Sequence, residues 1–234
     1  MSTDTLNLPL TVISSMATRH VLTKLADEYE RQREQTVSVL SIGGVEAARR
    51  VHDGERFDIV VLASDALERL SQSGHLLPGS QIDVARSGIA VAVKLGEPRR
   101  DISSEAAVRD TILRASTIGY STGPSGVHLI GLLRRWGILD AVASRIVEAS
   151  PGVPVGNLVA DGTVEIGFQQ LSELIHQPGI DVIGMLPPDI QAATVFSAAI
   201  CATSERREAA AGFLECLSSP EADSAKIAHG MEPV

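Results

Sequence analysis

The sequence predicts an α/β protein of two small lobes, each built on a doubly wound, mainly parallel sheet, with a cleft between them. Three observations lead there. Short apolar runs alternate with amphipathic helical stretches along the whole chain. Some of those runs, Asp58 to Ala63 above all, are too continuously apolar to be half exposed, which is the habit of parallel strands covered on both faces. The α/β order then starts afresh near residue 89, in a chain of 234 residues that has room for two modest sheets.

Taken in order, residues 10–13 read as a first strand. Residues 18–33 follow as a helix, with Val21, Leu22, Leu25 and Tyr29 at helical spacing. A strand at 37–41 leads through Gly43-Gly44 to a helix at 45–52, which Asp53-Gly54 stops. The strand at 58–63 is followed by a short helix at 65–73 closed by Gly74. The second set opens with a strand at 89–94 and a helix at 104–114, for which Ser103 or Ser104 is the expected cap. It continues with a strand at 116–120, a helix at 126–136 stopped by Gly137, and a short helix at 155–160. Strands at 165–168 and 181–184 complete it. The tail reads as a strand at 194–202 and helices at 206–217 and 220–229. If the tail packs back on the first set, lobe 1 is 1–85 plus 192–234 and lobe 2 is 86–191. The chain then crosses twice, near 84–89 and 187–194.

Composition narrows the function classes. Hydrophobic residues make up 44% and charged residues 21%, so a true core forms. Aromatics are only 3%, too few for a site that stacks bases. The net charge is −9 and the basic pairs at 49–50, 99–100 and 134–135 are isolated, so no nucleic-acid partner is expected. No apolar window approaches the roughly 18 residues of a membrane span. Residues 1–10 have neither a basic start nor a long apolar segment, so the expected location is cytoplasmic. A periplasmic location would require that a leader had been removed. Cys201 and Cys216 read as reduced thiols, the histidines are scattered without metal-ligand spacing, and no metal or cofactor is called for. G-x-S-x-G, H-E-x-x-H and G-x-x-x-x-G-K-[ST] are all absent.

Chemistry concentrates in the turns that follow the strands. Ser14-Ser15, Ser41 with Gly43-Gly44, Ser64, and Thr122-Gly123-Pro124-Ser125-Gly126 are small and rich in neutral donors, and most open a helix. Open helix starts present N–H groups and partial positive charge, and small residues let an anion approach them. Gln169 and Gln170 put two amides directly after a buried strand. Arg86 sits at a predicted crossing, where a guanidinium can grip a carboxylate. His20, in the first turn of the first helix, is a candidate proton carrier. The expected partner is therefore a small-molecule anion, a carboxylate or an oxyanion.

In these motifs the chain resembles the two-lobed solute-binding proteins of bacterial importers, the type II periplasmic-binding fold, and within it the molybdate-binding branch. The resemblance rests on Ser14-Ser15, residues 57–64, Gly-Pro-Ser-Gly at 123–126 and Val-Ala-Asp-Gly-Thr-Val-Glu-Ile-Gly at 159–167. It implies a tetrahedral oxyanion held by Ser14 or Ser15, the 41–44 turn, residues 122–126, Val155, and Gln169 or Gln170. Counting back from the first helix, however, puts the family's binding serine at Met16 or Ala17, and the glutamines replace its aromatic hydroxyl. The chain is also similar to a side branch of the fold, aconitate-isomerase-like, in which the cleft isomerises unsaturated polycarboxylates. That resemblance implies proton transfer on a di- or tricarboxylate, by a catalytic group that the sequence leaves unidentified. The alternative is a non-catalytic binder for molybdate or a similar oxyanion, with an importer permease as partner if the protein is exported.

Overall fold

The structure, a computed structural model, describes residues 8–33 and 35–234. The stretch read above for a leader therefore lies largely outside the described residues. The chain begins with β1 (Leu10–Ser15), a 3₁₀ turn at Met16–Thr18 and α1 (Arg19–Arg33). Then come β2 (Val37–Ile42), α2 (Gly44–His52), β3 (Ile59–Ala63), α3 (Ser64–Gln72), β4 (Ile82–Ser87) and β5 (Ile89–Lys94). The middle of the chain forms α4 (Glu105–Arg114), β6 (Ile118–Tyr120), α5 (Pro124–Arg135), α6 (Leu139–Val142), β7 (Ile146–Glu148) and α7 (Val155–Ala160). It continues with β8 (Ile166–Gln170), α8 (Leu171–Leu174), β9 (Ile180–Met185) and β10 (Thr194–Ile200). The chain ends with α9 (Arg207–Ser218), α10 (Asp223–Ala228) and β11 (Glu232–Pro233).

Two compact units result. One comprises the residues up to Arg86 together with Val195–Val234; the other is Ser87–Thr194. The boundaries fall one residue and three residues beyond those read from the sequence, which ended its segments at 85 and 191. Each unit carries one sheet, ordered β11-β4-β10-β3-β1-β2 in the first and β7-β6-β8-β5-β9 in the second. The βαβ crossovers give parallel pairs, β1 with β2 and β3, and β6 with β7 and β8. Antiparallel pairs arise from the strands at the crossings and from the tail: β10 with β3, β11 with β4, and β5 with β8 and β9. The α/β class thus holds, with both sheets mixed.

Period-two alternation explains why the strands read as solid apolar runs. In the first unit Leu10, Val12, Ile59 and Val61 pack to one face beneath α1 and α9, against Leu22, Leu25, Phe213 and Leu217. Ile13, Val60 and Leu62 pack to the other, against Val51, Leu67 and Leu70 of α2 and α3. In the second unit Ile89, Val91 and Val93 of β5 join Val108, Ile112, Leu129 and Leu133 of α4 and α5, while Ala90 and Ala92 meet Leu174 of α8. Burying each such leucine, isoleucine or phenylalanine is worth about 1.5–3 kcal/mol. The second sheet also admits α7 very closely. Gly119 and Gly167 stand in register on β6 and β8. A Cβ on Gly167 would lie 2.6 Å from Val159 Cγ2 and 2.9 Å from Val155 Cγ1.

Candidate functional site

Each unit gathers its small polar residues at the carboxyl ends of its parallel strands. In the first unit the register pairs Ser14 with Ser41 across β1 and β2. Their hydroxyls meet at 2.8 Å, and Ser14 Oγ also donates to Ser15 O at 3.3 Å. Gly43 and Gly44 lie beside them, since a Cβ on Gly44 would touch Ser15 Cβ at 3.5 Å. Ser15 occupies the position before the 3₁₀ turn, yet makes no capping bond. Its Oγ is buried with no hydrogen-bond partner. A hydroxyl stripped of water without a replacement costs about 1–3 kcal/mol, so a group in this state at a strand end is a binding candidate.

Two predicted residues of this unit are otherwise engaged. Ser64, the first residue of α3, donates to Val195 O at 3.1 Å and meets Ser197 Oγ at 2.6 Å, tying β3 to β10. Arg86 pairs with Glu232 at 2.7 Å across the β4–β11 register. Two strands, β10 and β3, separate its strand from β1. At about 4.8 Å per strand that is roughly 14 Å, too far for its guanidinium to join the Ser14–Ser15 group. Arg86 thus stands in a half-exposed ion pair at the β4–β11 end of the sheet.

In the second unit the turn after β6 opens α5. Ser121 Oγ lies 3.2 Å from Ser125 Oγ and accepts from Gly123 N at 3.3 Å. Gly126 is obligatory here, because a Cβ would fall 1.7 Å from Ser121 O. Gly123 precedes α5 without a side-chain cap, as Gly43 and Ala63 precede α2 and α3. Away from the strand ends, Ser104 does cap α4, accepting from Ala107 N. Thr122 stands in the same turn, partly exposed. A cavity of about 670 Å³ opens beside it, lined by Tyr120, Thr122, Ile130, Arg134, Asp140 and Glu148 among others. Burial first, and then Glu148, raises the Tyr120 hydroxyl above its ordinary pKa.

The glutamines and Val155 come together, though on each other. Gln169 Oε1 accepts from Val155 N at 2.9 Å and its Nε2 donates to Glu173 Oε2 at 2.6 Å. The Gln170 amide nitrogen donates to Ser87 O at 2.7 Å and Gly88 O at 3.2 Å, and its oxygen accepts from Thr194 Oγ1 at 2.8 Å. Both side chains are 1% exposed. The structure thus gives both amides partners inside their own unit. The sequence reading did not select Ser172 or Glu173. Ser172 is 2% exposed, and its Oγ is the second buried hydroxyl without a partner among the described residues. Its signal was present, because it follows the end of β8 by two residues, in the first turn of α8. Glu173 carried none, since only the path of Gln169 picks it out.

Burial pushes the Cys201 thiol up to about 12, and it also raises Cys216. Both are protonated at neutral pH, so neither is a ready nucleophile. Among the described residues no group of three or more His, Cys, Asp or Glu side chains is placed to hold a metal ion, and no helix is long and apolar enough to cross a membrane.

Residues 10–232 match the family model described as bacterial extracellular solute-binding protein. The chain is 35% identical to an aconitate isomerase from a Pseudomonas species, over 96% of its own length and 88% of that protein's. It is 24% identical to a molybdate-binding protein of Azotobacter vinelandii, over 77% and 73% of the two lengths. Among solved structures, the periplasmic molybdate-binding protein of Azotobacter vinelandii superposes with a TM-score of 0.81 at 22% identity, covering 95% of this chain and 98% of that one. A match running from β1 to β11 leaves one assignment: the chain belongs to the bacterial extracellular solute-binding proteins.

Proposed function

We propose that this protein binds an unsaturated di- or tricarboxylate at its strand-end turns and moves the double bond by proton transfer, as an isomerase of the aconitate type. The observation that carries the reading is the 35% identity to an aconitate isomerase along 96% of the chain. The chemistry suits the residues. Shifting a C=C in such an acid removes a proton α to a carboxylate, and negative charge then builds on the carboxylate oxygens. In the first unit the uncapped N–H groups at α2 and α3 and the unpartnered Ser15 hydroxyl, and in the second unit those at α5 and the Ser172 hydroxyl, are fixed donors of the kind such charge needs. Donors set in place before the reaction stabilise developing charge without having to reorganise.

The test is to incubate the protein with trans- and cis-aconitate in D₂O, following ultraviolet absorbance and deuterium uptake. Interconversion with uptake at the allylic carbons is expected. Absence of both would remove the isomerase reading. A second reading is a non-catalytic oxyanion binder working with an importer permease; the similarity to a molybdate-binding protein supports it. It predicts a large melting shift with molybdate or tungstate and none with aconitate. Ligand at a thousandfold excess over Kd stabilises by about 4 kcal/mol, so the two readings separate in a single thermal series.

A further inference from the structure

The geometry points to Glu173 as the catalytic base of this isomerisation, an inference that rests on the reading above. Three placements lead to it. Glu173 lies directly after the strand-end turn of β8, in the first turn of α8 and partly exposed. Its Oε2 accepts from Gln169 Nε2 at 2.6 Å, and Gln169 is itself 1% exposed and anchored by its other end to Val155 N. The carboxylate is thus held by a buried amide whose own position is locked, which is how a reacting group keeps its geometry. Its chain neighbour Ser172 carries one of the two buried hydroxyls without a partner among the described residues. The held carboxylate and an unsatisfied hydroxyl thus belong to the same first turn of α8, beside the carboxyl end of β8.

The step balances without a co-reactant. The Glu173 carboxylate takes a proton from the CH₂ that lies between the double bond and a carboxylate. The C–H electron pair spreads over the allylic carbons and their carboxylates, and the double bond moves by one carbon. The carboxylic acid so formed on Glu173 returns the proton to the former alkene carbon and is again ionised. One carboxylate serves as base and then acid, because both carbons lie on one face of a three-carbon unit.

The test compares wild type with Glu173→Gln and Glu173→Asp. Deuterium exchange into trans-aconitate and turnover are measured, along with the melting shift produced by tricarballylate, the saturated analogue. The expected result for Glu173→Gln is a loss of exchange and turnover of about a hundred- to ten-thousandfold with the melting shift retained. Glu173→Asp, which keeps the carboxylate, should recover part of the loss. Exchange within tenfold of wild type in Glu173→Gln would overturn the assignment, as would loss of the melting shift together with exchange. A His20→Asn variant that alone abolished exchange would move the role to His20. If wild type itself exchanges nothing, it is the isomerase reading that fails.

Discussion

At the scale of single residues, neighbouring serines of one sequence motif are put to opposite uses. Ser14 Oγ is bonded to Ser41 Oγ at 2.8 Å, whereas Ser15 Oγ, one residue on, has no partner. Successive residues of a strand point to opposite faces, so the β1–β2 register decides which hydroxyl is spent on the neighbouring strand. Ser14→Ala should therefore cost about 1 kcal/mol in urea unfolding of the free protein, the worth of one such bond. Ser15→Ala should leave the free protein unchanged or up to about 1 kcal/mol more stable, since it removes a buried group that nothing satisfies. In the presence of ligand the order reverses. A hydroxyl bonded to a charged ligand is worth about 1.5–3 kcal/mol, so Ser15→Ala should weaken aconitate binding roughly ten- to a hundredfold by calorimetry. The same comparison applies to Ser172→Ala. Equal destabilisation of the free protein by Ser14→Ala and Ser15→Ala would contradict this division.

At the scale of elements, the placement of α7 depends on what the sheet beneath it lacks. Gly167→Ala would bring a Cβ within 2.6 Å of Val159 and 2.9 Å of Val155, both fully buried. Overpacking of this kind costs about 1–3 kcal/mol. Moving α7 also strains the Val155 N to Gln169 bond, and through it the seat of Glu173. Gly131→Ala, in the exposed middle of α5 with nothing within 4 Å, should instead stabilise by about 0.5–1 kcal/mol. Urea midpoints of the two variants should fall on opposite sides of wild type.

Such a glycine also marks how far the sequence could be read. Strands buried on both faces, such as β3 and β5, declare themselves by composition, and the longer helices by their period. β7, α6, α8 and β11 have two to four residues each, too few to show any period. The strand-end turns were legible because Ser, Thr and Gly before a helix are a local signal. The partners of Gln169 and Arg86 were not, because they depend on which strand lies beside which. Glu173 is one of 29 acidic residues until a buried amide is seen to hold it.

At the scale of the whole molecule, a chain that leaves its first unit and returns must fasten the returning segment, and Asp58 performs this task. Its carboxylate, at the start of β3, accepts from Thr11 N at 2.8 Å, Thr11 Oγ1 at 2.9 Å and Ser204 Oγ at 2.8 Å, and is paired with the Arg206 guanidinium. It thereby joins β1 and β3 to the segment between β10 and α9, 148 residues away in sequence at Arg206. Burial by itself would raise the carboxyl. The bonds from Thr11, Ser204 and Arg206 together outweigh burial and hold it below its ordinary range. A carboxyl lowered on folding contributes its full stability above the unfolded value of about 3.9, and that contribution is lost as the pH falls through the lower folded value. Asp58→Asn keeps the size of the group but removes its charge, leaving Arg206 without a counterion. It should cost about 3 kcal/mol at pH 7, in the range for breaking a buried pair. The gap from wild type should stay constant between pH 7 and pH 5 and close below about pH 4, as the wild-type carboxylate also takes up a proton. Urea unfolding across that series, with deuterium exchange read over 195–234, checks both parts. A gap that persisted undiminished at low pH would mean that shape rather than charge holds the returning segment in place.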